Sequence, residues 1–196
     1  MPRKMLEAAL KTADPPTIFA AMNTLVRMSP NVSMLAKDAG TGRSVLYRTF
    51  RSDKGPRLSM VVRVLSSAGF QLIVNAHGNH PQDGRPNRIG QARKTTAHLE
   101  LRSNPGACAK FLTRAFETSD TVAIVKALDD TLRAQENVVE FSKRASLERS
   151  SLYRSFSPNG DPQFSTVVHF LRALGLRFAV VNGMRGGSAS RSSNDR

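Results

Sequence analysis

The chain has 196 residues, a single cysteine and a formal net charge of +14. One cysteine excludes an intrachain disulfide and favours a reducing compartment, and no apolar run approaches the length of a transmembrane helix. The strong positive charge favours a polyanionic partner, either nucleic acid or an anionic membrane surface.

A segment of the chain occurs twice. Residues 6–75 align without a gap with residues 112–181 at a constant offset of 106, and roughly a third of the pairs are identical. Such a duplication predicts two copies of one domain. We expect copy 1 at 1–75, a flexible basic linker at 76–104, copy 2 at 105–181 and a disordered tail at 182–196, because the linker and tail are rich in Gly, Pro, Ser and charge.

Each copy begins with a pattern typical of two helices. Apolar residues recur at helical spacing from Leu6 in copy 1 and from Leu112 in copy 2. Asp14 and Asp120 follow, where the N-cap of a second amphipathic helix belongs.

Two shorter helices come next in each copy. The pattern predicts a third helix over roughly 33–39 and 139–145, and a fourth over about 43–50 and 149–156. The residues expected to face the core are Leu35, Leu46 and Phe50 in copy 1, and Phe141, Leu152 and Phe156 in copy 2.

A fifth helix and a short strand close each copy. Ser59 and Ser165 are candidate N-caps for the fifth helix, and Gly69 and Gly175 are candidate C-terminal caps. The runs FQLIVN at 70–75 and LRFAVVN at 176–182 predict strands. The expected fold is therefore all-α, with two tandem five-helix helix-turn-helix domains of the lambda-repressor type, each ending in a short strand.

The third and fourth helices, separated by a three-residue turn, predict a helix-turn-helix whose second helix can enter the major groove of DNA. Arg suits guanine O6 and N7, and Ser can pair with several base edges. A basic surface helix with no ligand is the alternative at this point. The candidate DNA-binding residues are Arg43, Ser44, Val45 and Arg48 in copy 1, and Arg149, Ser150, Ser151 and Arg154 in copy 2.

The motifs of copy 2 resemble the addiction-module antidote proteins, small antitoxins with a Cro/repressor-type helix-turn-helix. The resemblance rests on TSD at 118–120, on the SLYR block at 151–154 and on the turn that ends in Pro162. Copy 1 matches with more departures. The resemblance implies double-stranded DNA and a small toxin as partners.

The turn before the fourth helix departs from the family pattern of Gly, an apolar residue and a capping Ser. Copy 1 reads Gly40, Thr41 and Gly42, whereas copy 2 reads Ser146, Leu147 and Glu148. One copy is therefore expected either to bind DNA more weakly or to serve mainly in pairing.

Three functions remain open on the sequence. A sequence-specific transcriptional repressor ranks first, since a net charge of +14 fits the neutralisation of a basic toxin poorly. An antitoxin that neutralises a small toxin and autoregulates its operon is the alternative. A nonspecific nucleic-acid or membrane-surface binder is the third. The linker and tail are expected to add sequence-independent affinity for DNA, and the alternative is that the linker is only a solvated spacer.

Sites for chemistry are not expected. His77 and His80 lie in a Gly/Pro-rich segment without a third ligand nearby, and Cys108 has small apolar neighbours typical of a core position. We therefore predict no enzymatic activity, no cofactor and no metal. Because no signal peptide is visible, we expect a cytoplasmic, nucleoid-associated protein of bacterial type.

The duplication predicts an internal pseudo-dimer. The closing strands, around 70–75 and 176–181, would pair with each other, because an unpaired apolar edge invites aggregation. Val45 and Ser151 differ at equivalent positions, so the operator should be an imperfect palindrome. The competing arrangement is two independent domains.

Overall fold

The structure is a computed structural model that describes residues 2–52, 55–76, 100–101 and 104–183. In these ranges the chain is mostly helical and carries one two-stranded sheet. Copy 1 consists of α1 (Pro2–Thr12), α2 (Pro15–Met28), α3 (Val32–Asp38), α4 (Arg43–Arg51), α5 (Leu58–Ser67) and β1 (Phe70–Ala76). Copy 2 consists of α6 (Pro105–Glu117), α7 (Thr121–Arg133), α8 (Val138–Ala145), α9 (Arg149–Ser155), α10 (Phe164–Ala173) and β2 (Leu176–Asn182).

Predictions for most of the linker and for the tail fall on 77–99 and 184–196, outside the described residues. His77 and His80, for which no metal site was expected, also lie outside the described residues. Residues 100–101 are helical, just before α6.

The caps of the second helices are as predicted. The Asp14 carboxylate accepts a hydrogen bond from the Thr17 N–H at 3.0 Å, and Asp120 accepts one from the Val122 N–H at 3.0 Å. Hydrogen bonds from the hydroxyl and the backbone N–H of Thr17 lower the pKa of the Asp14 carboxyl. Each carboxylate thus satisfies a donor that the first turn of a helix leaves without an intrahelical partner.

The predicted N-caps of the fifth helices are wrong. The N-caps are Arg57 and Gln163, so Ser59 and Ser165 lie inside the first turns of α5 and α10. The Ser59 N–H and hydroxyl donate to the two carboxylate oxygens of Asp161, at 3.1 and 2.6 Å. Because a carboxylate from the other copy caps α5, the helix begins before the serine, which sequence-local reasoning could not anticipate.

The closing strands pair with each other, as predicted. β1 and β2 are antiparallel, and Ile73 lies opposite Ala179 at the centre of the register. These two residues are equivalent in the repeat, since their numbers differ by 106. A strand pair centred on its own repeat equivalents has a local pseudo-two-fold axis, as in the isologous interface of a homodimer.

A second contact lies on the same axis. Arg57 and Gln163, also repeat equivalents, form an isolated antiparallel bridge. The Leu58 N–H donates to the Pro162 carbonyl and the Phe164 N–H donates to the Pro56 carbonyl, both at 2.9 Å. These two bonds exchange under the pseudo-two-fold operation, so the two copies meet as a symmetric pair rather than as separate domains.

The first helix of each copy packs against the strand of the other copy, α1 on β2 and α6 on β1. On the outer edge of β1, the Thr113 hydroxyl accepts from the Val74 N–H at 2.9 Å and donates to the Val74 carbonyl at 3.0 Å. Gln71 donates to the Glu117 carbonyl at 2.8 Å. Helix α6 therefore covers a sheet edge that would otherwise present unpaired backbone groups.

Both copies contribute to a shared core. The Phe178 ring of β2 stacks on Phe164 with ring centroids 5.0 Å apart, and it meets the edge of Phe116 at 5.2 Å. Phe19 of copy 1 lies 6.5 Å from Phe164. The predicted small buried thiol also belongs to this core, because Cys108 is 1% exposed and burial raises its pKa to about 11.

Candidate nucleic-acid interface

The same turn connects α3 to α4 and α8 to α9. In copy 1 the Gly40 N–H donates to the Lys37 carbonyl and the Thr41 N–H to the Ala36 carbonyl. In copy 2 the Ser146 N–H donates to the Lys143 carbonyl and the Leu147 N–H to the Ser142 carbonyl. Gly40 has φ +69° and Ser146 has φ +54°, so both occupy the left-handed region. The departures from the family pattern therefore leave the turn geometry intact.

The left-handed serine gives a testable stability difference. Ser146→Gly is expected to stabilise the protein by up to about 1 kcal/mol, because an L residue in this region costs roughly 1–2 kcal/mol and glycine loses roughly 0.5–1 kcal/mol more entropy. Gly40→Ser, the matched reverse change, should destabilise it. A Cβ at Gly40 would also lie 3.1 Å from the Arg63 guanidinium. Urea unfolding measures both, and a Ser146→Gly protein less stable than wild type would contradict the strain assignment.

The predicted faces of α4 and α9 divide into buried and exposed halves. Leu46 and Phe50 are buried in copy 1, and Leu152 and Phe156 are buried in copy 2. Seven of the eight candidate residues are exposed, and only Ser151 is half-buried. The candidate residues of each copy lie within the first two turns of the helix.

An arginine–tyrosine pair beside each candidate helix was missed by the sequence analysis. The Arg27 guanidinium lies 5.7 Å from the centre of the Tyr47 ring, and Arg133 lies 6.0 Å from that of Tyr153. In copy 2, Arg149 also lies over the Tyr153 ring, at 5.7 Å. The signal was present, because Arg and Tyr are kept at equivalent positions in a repeat that is mostly diverged.

An open groove runs along α4. It has a volume of about 540 Å³ and is lined by Ser44, Tyr47, Arg48, Arg51 and Ser52. Arginine and hydroxyl donors beside an aromatic ring suit phosphate oxygens and sugar rather than an apolar ligand. The groove therefore carries two arginines, Arg48 and Arg51, beside the Tyr47 ring.

Metal-ligand groups and membrane-spanning helices were both sought in the described part of the chain. No group of three or more His, Cys, Asp or Glu residues able to hold a metal ion occurs there. Among the helices of that part, none is long and apolar enough to cross a membrane.

These features define a class of protein, tandemly duplicated and mostly helical, that exposes one short basic helix per copy. The chain belongs to the family described as probable addiction module antidote protein, whose model matches residues 2–76 and 95–182. The two matched regions correspond to the two copies. A protein of Haemophilus influenzae described as uncharacterized is 33% identical over 70 residues, which are 36% of this chain and 71% of that protein. No solved structure matches significantly.

Proposed function

We propose that this chain is the antitoxin of a toxin–antitoxin module, which binds a small toxin protein and also represses its own operon by binding DNA. The observation that carries the proposal is the antidote family match, which covers both copies. The family match supports the antitoxin function better than a general repressor, the function that the sequence analysis ranked first.

DNA binding is supported by the arrangement of the two basic helices. In this proposal α3–α4 and α8–α9 are helix-turn-helix units of the lambda-repressor type, and the pseudo-two-fold axis relates them as in a repressor dimer. Each recognition helix would enter one major groove of double-stranded DNA, and occlusion of polymerase would follow. The proposed DNA-binding residues are Arg43, Ser44, Val45, Arg48, Arg149, Ser150, Ser151 and Arg154.

The domain division belongs to the same proposal. Copy 1 at 1–75 and copy 2 at 105–181 would each supply one helix-turn-helix, joined by the segment 76–104 into an internal pseudo-dimer. A chain that reads its own operator works beside the chromosome, in the cytoplasm of a bacterial-type cell. The proposed function needs no catalytic step.

A DNA-binding regulator without a toxin is the second candidate. It is favoured by the net charge of +14, since a basic toxin is repelled by a basic surface. The two candidates differ in whether a second protein is bound.

The test combines growth and binding. Each small reading frame found adjacent to this gene is expressed alone and together with this chain; growth arrest that co-expression relieves supports the antitoxin, and its absence for all of them opposes it. Selection of bound fragments from genomic DNA tests the DNA-binding part separately. Enriched operator fragments without any toxin effect would favour the second candidate.

A further inference from the structure

The two arginines beside the candidate helices have different partners. In copy 2, Arg133 Nε lies 2.7 Å from the Asp129 carboxylate, and this hydrogen bond raises the pKa of the Arg133 guanidinium. In copy 1 the equivalent Arg27 donates to the neutral side chain of Asn23, at 3.5 Å. The net charge around Arg27 is therefore more positive than the net charge around Arg133.

Two further equivalent positions differ in the same direction. Gly42 is the N-cap of α4, whereas Glu148 is the N-cap of α9 and is exposed. Arg51 lines the groove at the end of α4, and its equivalent in copy 2 is Ser157. At each of the three positions copy 1 is the more positive.

Phosphate binding depends on this difference. The Asp129 carboxylate offsets the charge of Arg133 and repels a phosphate that Arg133 contacts, whereas the Asn23 amide beside Arg27 carries no charge. At about 0.1 M salt the Debye length is roughly 10 Å, so a charge on the same helix face as a bound phosphate is only partly screened from it. On DNA, the copy 2 face of α7 and α9 is therefore expected to release fewer counterions than the copy 1 face of α2 and α4.

We propose that the two faces bind DNA unequally: the copy 1 face of α2 and α4 anchors the protein on one half-site, and the copy 2 face of α7 and α9 makes a weaker contact with the other. The proposal rests on the DNA binding proposed above. A homodimer presents two identical faces, whereas a duplicated chain can diverge at one face. The asymmetry fixes the orientation of the protein on its operator.

Reciprocal variants of the full chain test the proposal. Asn23→Asp introduces a carboxylate four residues before Arg27, and Asp129→Asn removes the one four residues before Arg133. On an operator fragment taken from the selection, Asn23→Asp should weaken binding and reduce the log–log salt slope by up to about 0.9, the value for one phosphate. Asp129→Asn should strengthen binding and raise the slope.

Glu117→Gln on α6 is the matched control, because it removes one exposed negative charge from a helix that packs against the sheet. Asp129→Asn should raise the ratio of the affinity at 50 mM salt to the affinity at 200 mM salt by about threefold to fourfold. This increase must exceed the one that the control shows. Thermal unfolding checks that all three variants fold.

The outcomes separate the two proposals. If the wild-type chain binds no DNA fragment, the proposed DNA binding and the unequal faces both fail. If it binds, but Asn23→Asp and Asp129→Asn change affinity and slope no more than Glu117→Gln, only the unequal faces are overturned. Opposite changes in the two variants, with the control near wild type, support the inference.

Discussion

Replacement of Phe178 by Ala is expected to destabilise the whole protein by about 3–5 kcal/mol, the range for a fully buried phenylalanine. Its ring stacks on Phe164 and meets the edge of Phe116, and both contacts would be lost. Because β2 pairs with β1 along its length, loss of this core contact reaches both copies. Urea unfolding followed by circular dichroism should show one cooperative transition at a lower midpoint.

Val181→Ala is the matched control on the same strand. Val181 alternates with the buried residues and is half-buried, so its truncation should cost far less than that of Phe178. Two separate transitions in the Phe178→Ala protein, with one at the wild-type midpoint, would show that the copies unfold independently and would contradict the shared core.

Periodicity predicts most of the fold because it reports which side of an element is buried. Leu46 and Phe50 recur at helical spacing and both are buried against the core. The strand pairing followed from a general property of sheet edges, since a single apolar strand per copy has no other partner in its own domain. Repeat equivalence then centres the register on Ile73 and Ala179.

Contacts between residues that are far apart in the chain could not be predicted from the sequence. The start of α5 depends on Asp161, which lies 102 positions after Ser59 and joins it only when the copies pair. Local cap preferences favour the serine, but a carboxylate that reaches two donors is the stronger cap.

The sequence predicted the candidate residues, but it did not predict how their surroundings differ between the two copies. Arg43 and Arg149 share the helical phase of the buried Leu46 and Leu152, but both are exposed because they are the first residues of α4 and α9. The Asp129–Arg133 pair is an i, i+4 contact that charge patterning allows, yet its meaning depends on Arg133 lying beside Tyr153. Such a position is visible only once α7 and α9 are packed together.

Arg43→Ala and Arg149→Ala are each expected to weaken binding to the selected operator by roughly 1–3 kcal/mol, the range for a bidentate base contact. Both side chains are exposed at the first position of α4 and α9. Because neither belongs to the core, circular dichroism and the unfolding midpoint should stay near wild type. Affinity is measured by fluorescence anisotropy at one fixed salt concentration, since phosphate contacts make affinity salt-dependent.

Arg114→Ala controls for the loss of one positive charge, because Arg114 is exposed on α6, away from both candidate helices in sequence. A base contact also relaxes specificity, so each Arg variant should lose more affinity for the operator than for random DNA. In Arg149→Ala, loss of the contact with Tyr153 is a second effect, and Tyr153→Leu, which removes the ring but keeps Arg149, measures it separately. Equal losses for Arg114→Ala and the two helix variants would reduce the role of Arg43 and Arg149 to bulk charge and remove the recognition-helix assignment.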